Sequence, residues 1–168
     1  MAGKFARTIK HLGTGAGALR RRFDRAAMER IREAIVAAEH GHAGEVRFAV
    51  EAMLPVRALL KHPDARSRAV EVFSQLRVWD TEGNTGVLLY LLWADRAIEI
   101  VVDRGISALL PADVWQAPCA RLAERLRQGD APAEAVCECI GAIGGILRGA
   151  LPHAAATPDE LPDAPVVL

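Results

Sequence analysis

AVEVFSQLRVWDTEGNTGVLLYLLWADRAIEIVVDRGI, residues 69–106, decides the fold. Ala69, Val70, Phe73 and Leu76 recur at helical spacing, so the stretch opens as an amphipathic helix. Asp64 just upstream is a good N-cap, and the spacing predicts a helix over 65–78 that ends near Trp79. DTEGN (80–84) is a polar loop. GVLLYLLWA (86–94) is an uncharged run of nine residues. A membrane-spanning helix needs about 20 apolar residues, so the run reads as a strand buried on both faces. Asp95 and Arg96 form a tight turn, and the β-branched AIEIVV (97–102) returns as an antiparallel partner.

That hairpin brings two loops to one edge of the sheet. Asp80, Glu82, Asn84 and Thr85 precede its first strand, which Gly86 opens; Asp103, Arg104 and Gly105 follow its second. Asp80 and Asp103 can hold a hard divalent cation, Ca2+ or Mg2+, with Glu82 and the Asn84 carbonyl completing the oxygen ligands. Arg104 can then hold a phosphate as a charged fork, and a metal-activated water would supply the nucleophile. Gly86 and Gly105 allow the backbone to approach an anion or a metal. Asp80, Asp103 and Arg104 are therefore the candidate catalytic residues. The plainer reading is a set of solvated turn residues beside a strand end.

The rest of the chain completes a layered fold. EVRFAVE (45–51) alternates Val46, Phe48 and Val50 on one side and is a strand. With the helix at 65 and the strand at 86 it makes a right-handed βαβ unit, so these two strands are parallel. Residues 24–39 form a helix with Ala27, Ile31, Ile35 and Ala38 on one face, closed by Gly41. His40 and His42 beside it suit the exposed helix carbonyls better than a metal, since no third ligand stands at motif spacing. Residues 109–128 read as a helix, kinked at Pro118 or starting near it. Residues 132–149 form the last helix, with Val136, Ile140, Ile143 and Leu147 as its stripe, and Gly141, Gly144 and Gly145 suggest close approach to a neighbour. Three strands are clear: the expected fold is α/β, a small mixed sheet of one βαβ unit plus an antiparallel hairpin.

GEVRFAVE (44–51), AVEVFSQLRVWDTEGNTGVLLYLLWADR (69–96) and IEIVVDRGI (98–106) together resemble the TPM domain, also called the TPM phosphatase domain. The likeness is to short bacterial members without a membrane span and covers roughly residues 24–150. It implies a three-layer α/β/α Rossmann-like sandwich with room for a fourth strand. It implies no single activity. The family includes a plant thylakoid-lumen protein described as an acid phosphatase, members with bound divalent metal, and many members that look like non-enzymatic, often membrane-associated, accessory proteins. Family members usually carry Asn directly before the glycine that opens the hairpin; this chain has Thr85 there and Asn84 one place earlier.

Composition bounds the function further. The chain has 168 residues and zero formal net charge, which fits one domain and argues against a nucleic-acid binder. Cys119, Cys137 and Cys139 are too few and too irregularly spaced for a disulfide framework, which points to a reducing compartment; the expected location is the cytoplasm or the periphery of the inner membrane. No Gly-x-Ser-x-Gly elbow, HExxH, phosphate loop or dinucleotide fingerprint occurs. Residues 1–23 form a basic arm: Lys4, Arg7, Lys10, Arg20, Arg21 and Arg22 lie there without an acid in the first 22 positions. Such an arm can stay solvated or touch anionic lipid through residues 4–22. Residues 151–168, with Pro152, Pro158, Pro162 and Pro165, read as an extended acidic tail, whose last residues Val166, Val167 and Leu168 can dock on the domain or offer a strand to a partner. Two functions follow as expectations: a non-catalytic binding module working with a membrane-associated partner, or a divalent-metal-assisted acid phosphatase.

Overall fold

The computed structural model describes residues 16–54, 64–151 and 159–168. The strands are β1 (Glu45–Glu51), β2 (Gly86–Leu92), β3 (Ala97–Val102) and β4 (Val166–Val167), in the spatial order β3-β2-β1-β4. β1 and β2 run parallel, in register from Glu45 opposite Gly86 to Glu51 opposite Leu92. β3 returns antiparallel to β2, with Val102 opposite Val87. The helices are α1 (Ala16–Arg22), α2 (Arg25–Glu39), α3 (Ala65–Gln75), α4 (Arg104–Leu109), α5 (Gln116–Gln128) and α6 (Pro132–Ala150), with one 3-10 turn over Ala112–Trp115. No helix among the described residues is long and apolar enough to cross a membrane.

Strand alternation sorts side chains into two cores. Val46, Phe48, Val50, Val87, Leu89 and Leu91 face the layer built from α1, α2, α5 and α6. Ala49, Leu88, Tyr90, Leu92 and Val101 face the layer built from α3, together with Leu161. β2 is buried along its whole length because it has a helical layer on each side and a strand on each edge. Each such Leu or Phe removed from water contributes about 1.5–3 kcal/mol. The sandwich is therefore the α/β/α arrangement expected, with the βαβ unit and the hairpin in place.

Several local expectations change. The helix α3 ends at Gln75, three residues short of the expected 78, and its inner face is Ala65, Arg68, Ala69, Val72 and Phe73. Val70 points outward and is 46% exposed. The hairpin loop holds four residues, 93–96, instead of the Asp95 and Arg96 pair, because Leu92 pairs with Ala97. Trp93 and Ala94 still donate backbone bonds to the carbonyls of Glu51 and Ala52, at 2.9 and 3.0 Å, so they extend the parallel pairing while the chain already turns. Of the two arrangements expected over 109–128, the helix that starts near Pro118 is found. α4 stops at Leu109, the 3-10 turn follows Pro111, and α5 starts at Gln116 with Pro118 in its first turn, where no interior hydrogen bond is lost. Of the three glycines in α6 named above, only Gly144 meets a neighbour: a Cβ there would sit 2.7 Å from the Ala38 carbonyl oxygen.

Described residues on both flanks pack on the sheet and its helices. Residues 1–15 lie outside the described residues, but α1 plants Leu19 in the first core and Phe23 follows it, at 0% and 3% exposure. Residues 152–158 also lie outside the description, whereas the last ten residues dock. Val166 and Val167 pair in parallel with Ala49 and Val50, and Leu168 donates to the Val50 carbonyl at 2.9 Å. This is the fourth strand, and it covers the free edge of β1.

Candidate functional site

The edge singled out in the sequence is a continuous hydrogen-bonded structure. Gly86 opens β2 directly beneath the end of α3, where a Cβ would lie 1.8 Å from the Val78 carbonyl oxygen. Gly105 is pressed against the preceding loop in the same way: a Cβ there would fall 2.4 Å from the Gly83 oxygen and 2.6 Å from the Asn84 oxygen. Only glycine allows these two approaches. Between them the loops are stitched together: Asp103 N–H donates to the Gly86 carbonyl at 2.9 Å and Gly105 N–H to the Asn84 carbonyl at 3.0 Å. Asn84 sits in the left-handed region at φ 53°, which Asn tolerates through its short polar side chain.

The side chains at this edge mostly hold backbone. Arg104 Nε donates to Asn84 Oδ1 at 2.8 Å. Asp103 Oδ1 accepts from Arg104 N–H at 2.7 Å, at the N-terminus of α4. Thr85 Oγ1 donates to the Ala43 carbonyl at 2.6 Å, and Thr85 N–H donates to Thr81 Oγ1 at 2.9 Å. Glu82 N–H donates to the Glu160 carboxylate at 2.8 Å, tying the C-terminal segment to the same loop. Asp80 and Glu82 keep exposed side chains. The structure thus joins Asn84, Thr85, Gly86, Asp103, Arg104 and Gly105, and leaves Asp80 and Glu82 at the rim. Asp103 Oδ2 is occluded from solvent and has no hydrogen-bond partner among the described residues. Among the described residues no three His, Cys, Asp or Glu side chains are placed to hold a metal.

The other candidate ligands have structural partners. His40 Nδ1 lies 2.8 Å from the Val36 carbonyl and His42 Nε2 lies 2.7 Å from the Ala38 carbonyl, both on the open end of α2. The cysteines are free thiols, and burial pushes Cys119 up to about 11 and Cys139 up to about 12, so neither is a thiolate nucleophile at neutral pH.

Two buried charge groups escaped the sequence reading. In the first, Arg68 makes a bidentate pair with Glu51, at 2.9 and 3.0 Å, and a third bond to Glu71 at 2.6 Å. Tyr90 OH donates to the same Glu51 carboxylate at 2.6 Å. Burial opposes the Arg68 charge most strongly, but the bonds to Glu51 and Glu71 outweigh it and raise its pKa. Burial, with Glu51 beside it, raises Tyr90. Side-chain exposures of 11% for Arg68 and 5% for Glu51 close this network to ligands. The available signal was an Arg on the apolar stripe of a helix and a Glu at an inward position of a strand.

The second group lies under the C-terminal segment. Glu39 Oε1 accepts from Val46 N–H at 2.7 Å, while burial pushes its carboxyl up to about 8, helped by Glu45 and Asp163. Arg47 is buried nearby, with Nε and Nη1 lacking partners among the described residues. Folded Glu39 keeps its proton up to about 8, whereas its ordinary value is 4.5. The folded chain then binds more protons than the unfolded chain across that window, so this group makes stability fall as pH rises. His42 has the opposite sign, since burial lowers it from 6.5 and stability rises as the unfolded imidazole loses its proton. Glu39→Gln keeps an acceptor for Val46 N–H. It should leave stability unchanged near pH 4.5 and raise it by on the order of 2 kcal/mol at about pH 8.5. Urea unfolding at the two pH values checks this; equal effects at both would contradict the assignment.

The layered sheet, the βαβ-plus-hairpin order and the glycine-bounded edge together define a small α/β domain of one recognisable kind. The chain belongs to the TPM domain family, whose model matches residues 20–146. Among solved structures, the BA42 protein from the psychrophilic bacterium Bizionia argentinensis is similar, with TM-score 0.75 and 26% identity, over 86% of this chain and 94% of that one. The N-terminal domain of a P. gingivalis protein shares the fold, with TM-score 0.61 and 22% identity, over 80% of this chain and 82% of that one. A comparison with curated proteins gave no match.

Proposed function

We propose that this TPM domain is a non-catalytic binding module that presents its glycine-bounded edge to a membrane-associated partner. The observation that carries the reading is how the polar groups of the edge are used. Asp103 caps α4, Asn84 accepts from Arg104, Thr85 ties the loop to Ala43, and Glu160 takes the Glu82 N–H. Groups tied up in this way give a preorganised shape, which favours recognition. A hydrolase needs the same groups available for a metal, a water and a phosphate. The basic segment 4–22 would add attraction to an anionic surface, about 1 kcal/mol per basic residue near it.

A divalent-metal-assisted acid phosphatase is the second reading. The occluded Asp103 Oδ2, without a hydrogen-bond partner among the described residues, favours it, since such an oxygen is where a Ca2+ or Mg2+ ion would bind. Phosphate release from p-nitrophenyl phosphate with either ion, under acidic and neutral conditions, separates the two. The binding-module reading expects wild type and Asp103→Asn to be equal and at blank level. Turnover that Asp103→Asn abolishes would replace it with the phosphatase.

A further inference from the structure

The opposite end of the sheet holds a pocket that neither reading uses. Arg22 at the end of α1, the 93–96 turn and the end of α5 enclose a cavity of about 220 Å³. Leu91, Trp93 and Leu126 line it, together with Arg22, Arg96 and Arg127. One acid, Asp130, belongs to the lining, and its carboxylate is bound by Arg125 Nε at 2.7 Å. Arg127 is bonded to Glu124. Arg22 and Arg96 have no carboxylate partner among the described residues. Two arginines without a carboxylate partner among the described residues, and a third shared with Glu124, therefore line one concave site.

Two features show how these arginines are held. The Arg22 guanidinium lies over the Trp93 ring, 5.4 Å from its centroid. A cation–π contact fixes the side chain without neutralising it, so less order remains to be imposed when an anion arrives. Trp93 is itself fixed by an edge-on contact with Phe23, at 6.0 Å between centroids. Arg96 occupies the left-handed region at φ 51°. An L side chain other than Asn, Asp or Gly costs about 1–2 kcal/mol there, and the turn alone would favour glycine. The pocket also lies beyond the carboxyl ends of the parallel strands β1 and β2, the edge at which open α/β sheets receive ligands.

We infer that this pocket binds a phosphate monoester group, through Arg22, Arg96 and Arg127. A guanidinium offers a planar fork of donors, and forks from three chain segments offer more donors than the two oxygens of a carboxylate can accept. The three terminal oxygens of a phosphate monoester match them. Either a soluble phosphate ester or a lipid headgroup such as phosphatidic acid carries that group. The site is separate from the Asp103 edge and stands or falls independently of the function proposed for it.

The test uses the full chain and two probes. Inorganic phosphate is titrated while the Trp93 indole N–H is followed by NMR. Co-sedimentation is measured with phosphatidylcholine vesicles, with and without phosphatidic acid. Arg22→Gln/Arg96→Gly removes the two arginines that lack a carboxylate partner among the described residues. Arg77→Gly removes an arginine at φ 53° elsewhere, at the end of α3, and is the control. The expected result is at least tenfold weaker binding in the double variant and wild-type binding in the control. Response to free phosphate assigns a soluble ligand, and response confined to phosphatidic acid vesicles assigns a headgroup. No binding of either probe, or wild-type binding of both by the double variant, would overturn the inference.

Discussion

Glu51→Ala should destabilise the domain by about 3–5 kcal/mol, the cost of breaking a buried pair from one side. Three bonds end on that carboxylate: two from Arg68 and one from Tyr90. Without it, Arg68 stays under α3 with Glu71, and the Tyr90 hydroxyl loses its acceptor in the second core. Neither donor can turn to water, because Tyr90 is 0% and Arg68 9% exposed. Glu51→Leu/Arg68→Met should recover part of the loss, since an apolar pair of similar volume leaves no stranded Arg68 charge, while the Tyr90 hydroxyl still lacks its acceptor. Urea unfolding of the three proteins measures both effects. A loss below about 1 kcal/mol for Glu51→Ala would mean that the network is not closed as described.

Gly86→Ala is the second large effect, above about 4 kcal/mol, large enough to leave little folded protein. The new methyl would lie 1.8 Å from the Val78 oxygen and 2.9 Å from its carbonyl carbon. That carbonyl is not free to move away. Val78 N–H is bonded to the Phe73 carbonyl at 3.0 Å, and the Val78 side chain is fully buried. Gly86 cannot retreat either, because its own carbonyl accepts from Asp103 N–H and its position faces Glu45 across the sheet. Gly83→Ala in the same loop is the control. Its methyl would meet only the Thr85 side chain, at 3.1 Å, so the loss should stay near about 1 kcal/mol or below. Thermal melts of the two variants distinguish a backbone collision from a general intolerance of the loop.

Particular residues show why some of this was legible in the sequence. Val46, Phe48 and Val50 alternate, the uncharged run from 86 is too long for a loop, and AIEIVV follows without a linker, so β1, β2 and β3 were each evident. Their order also placed Asn84 beside Arg104, because a hairpin brings its two outer loops together whatever its inner turn. α3 misled for a physical reason. Hydropathy favours Val70 over Arg68 on the inner face, yet Arg68 lies inside because Glu51, 17 residues earlier, neutralises it there. Such a partner is invisible to a local window. The turn was misplaced because Trp93 and Ala94 are apolar and do bond to the end of β1, although they already belong to the four-residue turn. The fourth strand has only two residues and borrows its regularity from Ala49 and Val50, so it has no period of its own. At the edge, residue types suggested ligands, but whether Asp103 caps a helix or binds a cation depends on where α4 begins, and spacing does not determine that.

Calorimetric titration of calcium and magnesium into wild type and Asp80→Asn/Asp103→Asn tests the reading of that edge most directly. A binding module whose polar groups hold its own loops predicts no saturable heat from either ion in either protein. Saturable binding to wild type that disappears in the double variant would contradict it and establish a metal site at Asp80 and Asp103.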